Sequence, residues 1–289
     1  MPINKVYNTK TFQKYFNWVI EDDSINSEWN YMDTELDCIV GNELTPKLED
    51  NKDIILPSRY PEKNNKGLQK VNFDRKTLDE KTKELFNQKN RFAQNDEKSY
   101  EMLYNEKGGI LAEFGKIICI SVGFVQENSL GRTMRLKSFA HDDEETLLKQ
   151  FKSLIEARDY LLCGHNSKEF DIPYICRRML VNGIPLPPSL DIAGKKPWEI
   201  NHLDTMDLWK FGDYKAYTSL ALLCHIFHIP TPKDDISGAD VARVYYEEKN
   251  LDRIRIYCEK DVIALIQLFL KMKGDSLISE GNIHSVSAE

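Results

Sequence analysis

The chain has 289 residues, of which 41% are hydrophobic and 29% are charged, and its formal net charge at pH 7 is −7. This composition is typical of a soluble globular protein, and no apolar run approaches the roughly 20 residues that a membrane helix needs. The negative charge argues against a broad basic surface for duplex DNA, but it does not exclude a nuclease with an acidic site. The N-terminal residues lack the pattern of a signal peptide, so we expect a cytoplasmic protein.

The first 40 residues contain two predicted elements. Apolar residues at helical spacing predict an amphipathic helix over residues 11–23. The aromatic and β-branched residues between Trp29 and Val40 predict a strand. On a strand, Asp33 and Glu35 would point to the same face about 7 Å apart, which suits a divalent cation. A polar strand that faces solvent is the alternative interpretation.

Residues 42–108 are rich in charged side chains, Asn and Gln, and prolines interrupt the first half. We interpret this region as a long insertion rather than a separate domain. Within it, residues 77–94 predict a helix. The pair Gly108-Gly109 precedes an apolar strand rather than a helix, so it does not match a phosphate-binding loop.

The middle of the chain alternates strands and helices. Ile117–Val125 is the clearest strand, and Thr133–Phe139 is predicted to pair with it as a hairpin. A helix follows from Asp142-Asp143 to Ile155. The apolar run Tyr160–Cys163 then predicts a short buried strand.

A loop after this strand leads to a helix that we expect to start near Asp171, a good N-cap residue. A strand that runs into a loop and a helix N-terminus is where an α/β protein places its chemistry. The alternative is that Asp171 only caps the helix and that Phe170 only packs.

The C-terminal part adds a short strand at His202–Met206 and three helices, capped by Thr218 or Ser219, by the segment Ser237–Asp240, and by Asn250. This order of elements predicts an α/β fold with a mixed sheet.

The last helix places two polar side chains beside its apolar stripe. Tyr257 and Asp261 lie one helical turn apart. Because a carboxylate in so apolar a helix is expensive to bury alone, Asp261 requires a metal ion or a Lys or Arg as a partner.

Three segments resemble the motifs of the proofreading 3′–5′ exonuclease superfamily, the ribonuclease H-like enzymes with four acidic ligands. They are Asp33-x-Glu35, Asn166-x-x-x-Phe170-Asp171-x-Pro173 and Tyr257-x-x-x-Asp261. The tyrosine marks the subgroup that has Tyr where others have His.

A closer similarity, over roughly residues 111–272, is to a bacterial family of predicted 3′–5′ exonucleases related to the proofreading domain of family-B DNA polymerases. The segments that carry it are His165–Arg178, Asp191–Glu199, His202–Met206, Leu208–Asp213 and Pro232–Ile236.

The first motif departs from the family pattern, because Leu36 stands where the family has Thr or Ser. Glu21 and Asp23 are a rival acidic pair, although the helical periodicity around them disfavours a strand. If neither pair lies in the sheet beside Asp171, the expectation is a weak or inactive nuclease.

The resemblance implies a ribonuclease H-like mixed β-sheet flanked by helices. We assign residues 29–273 to this exonuclease domain, residues 1–28 to an N-terminal helical extension and residues 274–289 to a polar C-terminal tail. Two Mg²⁺ or Mn²⁺ ions are implied, because hard oxygen ligands select these ions. The implied metal ligands are Asp33, Glu35, Asp171 and Asp261.

In the same resemblance, Tyr257 would orient the attacking water, and Asn166 and Phe170 would hold the terminal nucleotide. Lys168, Lys195 and Lys196 are candidate phosphate contacts, although surface lysines are more often simply solvated. The implied substrate is the 3′ end of single-stranded DNA. RNA is an alternative substrate, and a degenerate fold that binds nucleic acid without hydrolysis is an alternative function.

Overall fold

The structure is a computed structural model that describes residues 54–55, 68–94, 98–128, 131–158, 160–213, 215–230 and 235–286. The predicted N-terminal helix, the strand with Asp33 and Glu35, and the rival pair Glu21 and Asp23 lie outside the described residues. Those assignments therefore stay predictions.

The described residues form seven strands and eight helices. The strands are β1 (Ile54–Ile55), β2 (Leu68–Asn72), β3 (Gly115–Asn128), β4 (Gly131–Ala140), β5 (Leu162–Gly164), β6 (Leu203–Asp204) and β7 (Ile283–Ser285). The helices are α1 (Glu80–Lys89), α2 (Tyr100–Lys107), α3 (Glu144–Glu156), α4 (Asp171–Val181), α5 (Thr205–Lys210), α6 (Leu220–Ile226), α7 (Val241–Tyr246) and α8 (Leu251–Met272). In the part of the chain that the structure describes, no helix is long and apolar enough to span a membrane.

The strands form two adjoining sheets. One has the order β2-β3-β4-β7, with β2, β3 and β4 antiparallel and β7 parallel to β4. The other is parallel and has the order β1-β5-β6. The two sheets adjoin where β1 lies beside β3, with Cα atoms of the two strands less than 8 Å apart. The predicted α/β class, a mixed sheet flanked by helices, is confirmed.

Helices cover both faces of the four-stranded sheet. On β4, Met134 and Leu136 point to one face and share an apolar cluster with α8, whereas Phe139 points to the other face and packs with α3 and α4. Helix α8 approaches β3 closely at Gly123, where a Cβ atom would lie 2.8 Å from side-chain atoms of Val262 and Ile266.

The β3–β4 hairpin is confirmed, with Cys119 opposite Ala140 and Asn128 opposite Gly131. Three helix caps are also confirmed. The side chains of Asp143, Ser219 and Asn250 accept backbone N–H bonds at the starts of α3, α6 and α8.

The predicted start of α4 near Asp171 is confirmed, but the predicted N-cap role of Asp171 is wrong. Asp171 is the first residue of the helix, and Phe170 occupies the N-cap position without a side-chain cap. The first turn instead uses backbone acceptors, since the N–H of Ile172 donates to the carbonyl oxygen of Ser167 at 2.9 Å.

Two strands of the sheet fall in segments that were interpreted as peripheral. Strand β2 lies inside the predicted insertion 42–108, and β7 lies inside the predicted tail 274–289. The segment before β7 is held by Gln267 of α8, whose side chain exchanges two hydrogen bonds with the backbone of Ile278, at 2.6 and 2.9 Å. The chain after α8 is thereby fixed to the core.

Candidate active site

The loop between β5 and α4 is held in place by hydrogen bonds of two buried side chains, those of His165 and Asp204. His165 is fully buried, and its Nε2 donates to the carbonyl oxygen of Thr218 at 2.9 Å. Its Nδ1 lies 2.9 Å from Oγ1 of Thr205. The loop is therefore tied to the residues that start α5 and precede α6.

Asp204, at the end of β6, fixes the backbone of the same loop. Its carboxylate accepts the N–H of Asn166 at 2.6 Å, that of Lys168 at 3.3 Å and that of Met206 at 3.0 Å. These bonds hold Asn166 in the left-handed region, with a φ of 67°. Burial, and secondarily the charge of Asp207, raises the pKa of Asp204 to about 6.

Sequence reasoning did not name Asp204 as a site residue. The signal for it was present, since His202–Met206 is one of the segments that carry the family resemblance. Its role depends on backbone donors 36 to 38 residues earlier in the chain, which only the fold brings near.

Lys168 is buried rather than solvated. Its Nζ lies 3.5 Å from Oδ2 of Asp207, in the first turn of α5. The ion pair directs this charge toward the protein, which differs from the expected exposed phosphate contact.

Phe170 is half-buried and forms part of an aromatic pair with Tyr174, with ring centroids 5.6 Å apart. The ammonium of Lys70, on β2, lies 4.4 Å from the Phe170 centroid and 4.9 Å from the Tyr174 centroid. Lys70 is only 4% exposed. Sequence reasoning missed this lysine because it lies in the segment interpreted as an insertion.

Two predicted ligands are buried carboxyl groups on different helices. Asp171 is 1% exposed at the start of α4, where the helix dipole favours a negative charge. Asp261 is fully buried in the middle of α8. The structure thus buries both carboxyl groups, and their role as metal ligands stays a prediction.

Tyr257 lies one turn before Asp261 and is also buried. Burial raises the pKa of the Tyr257 phenol well above its usual range, and the charge of Asp261 raises it further. The phenol therefore keeps its proton at neutral pH.

The structure does not bring Lys195 and Lys196 to this loop. Lys195 lines a cavity of about 310 Å³ together with Leu161 and His202. Those two residues immediately precede β5 and β6, so the cavity lies at the opposite end of these parallel strands from Asn166. Lys196 instead places its Nζ 5.2 Å from the ring centroid of Trp198.

The described residues include the type of ligand that divalent metal ions prefer, but they provide too few ligands for a complete site. Asp171 and Asp261 provide the carboxylate oxygens that Mg²⁺ and Mn²⁺ prefer. Within the described ranges, however, no group of three or more His, Cys, Asp or Glu side chains is arranged to hold an ion. A complete site would need ligands from outside those ranges, where Asp33 and Glu35 lie.

Comparison with known proteins assigns a family to most of the chain. Residues 110–284 match the family described as "Predicted 3'-5' exonuclease related to the exonuclease domain of PolB". A similar solved structure is the family B DNA polymerase from the hyperthermophilic archaeon Pyrobaculum calidifontis, with 20% sequence identity and a TM-score of 0.44. The similarity covers 58% of this chain and only 23% of the polymerase chain.

Proposed function

Since the chain belongs to the family of predicted 3′–5′ exonucleases related to the exonuclease domain of PolB, we propose that it hydrolyses single-stranded DNA from the 3′ end and releases nucleoside 5′-monophosphates. The observation that carries this proposal is the burial of Asp171 and Asp261. One lies at the start of α4 and the other lies one turn after Tyr257 on α8.

In this proposal Asp171 and Asp261 hold the metal, and Asp33 and Glu35 complete the ligand set. Bound Mg²⁺ or Mn²⁺ would supply an activated water and would stabilise the departing 3′-oxygen. Tyr257 donates a hydrogen bond that orients the attacking water. Its raised pKa favours this role because the proton stays on the phenol.

The loop after β5 would hold the terminal nucleotide. Phe170 offers a half-buried ring on which a base stacks, an interaction worth about 1–3 kcal/mol per base. Asn166 follows the strand on a backbone that Asp204 fixes, so its side chain can be positioned without a large loss of entropy.

Asp261→Asn tests the proposal most directly. The variant should lose Mg²⁺-dependent shortening of single-stranded oligonucleotides labelled at the 5′ end. In chelator its melting temperature should stay unchanged or rise, because a buried negative charge is removed. Asp252→Asn is the matched control, since Asp252 is an exposed residue of the same helix that pairs with Arg255.

Full activity in Asp261→Asn would refute its role as a ligand. A large loss of stability in chelator would indicate that Asp261 serves a structural ion pair. Labelled DNA and RNA of the same sequence, tested side by side, distinguish the DNA exonuclease from the RNA-trimming alternative.

A second candidate function is binding of nucleic acid without hydrolysis. It is favoured by β2, a strand of the four-stranded sheet, which carries Gln69 and Lys70 but no carboxylate. An oligonucleotide that binds in the presence of Mn²⁺ and stays intact would support this function over the exonuclease.

A further inference from the structure

The loop that connects α5 to α6 presents two exposed aromatic side chains. Phe211 is 49% exposed and Tyr217 is 44% exposed. Backbone hydrogen bonds order the loop, since the N–H of Asp213 donates to the carbonyl oxygen of Lys210 at 2.8 Å and the N–H of Ala216 donates to that of Asp213 at 3.1 Å. Both aromatic rings are therefore carried by a backbone with a defined conformation.

Short contacts tie this aromatic loop to the loop after β5. Where the aromatic loop begins, the carboxylate of Asp207 on α5 lies 3.5 Å from Nζ of Lys168 and 3.6 Å from Nζ of Lys210. Where it ends, the carbonyl oxygen of Thr218 accepts a hydrogen bond from Nε2 of His165 at 2.9 Å. His165 and Lys168 both belong to the loop after β5. The exposed rings thus lie beside the loop proposed to hold the terminal nucleotide.

A cation positions the ring of Tyr217. The Nζ of Lys210 lies 4.2 Å from the ring centroid, and the Lys210 side chain is only 10% exposed. Because a desolvated cation interacts more strongly with an aromatic face than a solvated one does, this contact restricts the orientation of the ring. A ring that is already oriented loses less entropy when a ligand binds to it.

The ligand class that fits this surface is a single-stranded nucleic acid. Exposed aromatic rings bind bases by stacking, and every base has a face that can stack. The net charge of −7 disfavours broad electrostatic attraction of phosphates, so local stacking contacts are needed to hold a strand. A strand whose terminal base stacks on Phe170 continues across the neighbouring protein surface, where the aromatic loop lies.

We propose that Tyr217 stacks on a base upstream of the 3′-terminal nucleotide, with Phe211 as a second ring of the same surface. This inference rests on the proposed function, because it assigns the path of the same single strand. It implies that an oligonucleotide long enough to reach Tyr217 gains affinity from this contact.

The test measures binding of a labelled single-stranded DNA of about ten nucleotides to the full chain by fluorescence anisotropy, in chelator and at low salt. Tyr217→Ala should raise the Kd about 5- to 150-fold, which corresponds to the loss of one stacked base. Tyr217→Phe keeps the ring and should bind like the wild type. Trp198→Ala is the matched control, since Trp198 is also an exposed ring beside a lysine, and its neighbour Glu199 lines the cavity at the opposite end of β5 and β6.

Photo-crosslinking of the wild type distinguishes a direct contact from a disturbed loop. A single iodouracil is placed in turn at the 3′ end and at each internal position, and cross-linked residues are identified by mass spectrometry. An internal position should cross-link to Tyr217 or Phe211, and the 3′-terminal position should not. The proposal is overturned if the wild type does not bind, if Tyr217→Ala binds as the wild type does, or if all internal cross-links lie elsewhere.

Degradation of the same oligonucleotide in Mg²⁺ is scored separately from binding. A wild type that binds DNA through Tyr217 but leaves it intact in Mg²⁺ and Mn²⁺ would refute the exonuclease and leave the Tyr217 contact standing. Degradation by Tyr217→Ala with the KM and the affinity of the wild type would support the exonuclease and overturn the contact.

Discussion

The buried carboxyl of Asp204 should leave a specific mark on the pH dependence of stability. Its pKa rises from 3.8 to about 6 on folding. The folded protein therefore binds a proton more tightly than the unfolded chain does. Its stabilising contribution is fully present below pH 3.8 and is lost as the pH rises through 6.

The size of this effect follows from the shift. A difference of about 2 pKa units, at 1.36 kcal/mol per unit, corresponds to about 3 kcal/mol. Asp204→Asn cannot titrate, so this part of the pH dependence should disappear. The difference in unfolding free energy between wild type and variant should fall by about this amount between pH 4 and pH 7.

Urea unfolding of both proteins at half-unit steps between pH 4 and pH 8 measures the difference. Taking the difference cancels the titration of other groups, such as Asp143, whose pKa is lowered. Asp207→Asn is the companion variant and should show a smaller pH effect than the wild type, because Asp207 is the second cause of the shift. A difference that is flat, or that grows with pH, would refute this account of Asp204.

Two packing predictions concern the frame around the site. Glu144 accepts hydrogen bonds from Arg178 Nε at 2.9 Å and from the backbone N–H of Ile117 at 2.6 Å, so Arg178→Met should cost about 3–5 kcal/mol in urea unfolding. The double variant with Glu144→Leu should lose less than the two single losses combined, and an additive result would contradict a buried ion pair. Gly123→Ala should lower stability by about 1–3 kcal/mol by crowding Val262, and an unchanged melting temperature would show that α8 can shift.

Local patterns in the sequence were sufficient for much of the fold. The β3–β4 hairpin could be predicted because both strands and their turn are adjacent in the chain. The caps Asp143, Ser219 and Asn250 act on backbone groups three residues away, so residue type and spacing identify them.

The features that could not be predicted from the sequence, strand β2 and the position of Lys195, depend on contacts between residues far apart in the chain. Strand β2 is polar at Gln69 and Lys70, and its strand character depends on pairing with β3, about 50 residues later. Lys195 follows closely on the motif that contains Asp171, yet its loop returns to the other end of β5. Sequence distance therefore gave no measure of the distance between Lys195 and Asn166.

The short strand β7 protects the sheet. It covers the outer side of β4, and the N–H of Val286 extends the pairing by donating to Leu136 at 2.9 Å. An uncovered strand is a template for pairing with another molecule. Cleavage between Ile278 and β7 would separate this cover from the anchor that Gln267 provides, and the protein would then be prone to aggregate during purification.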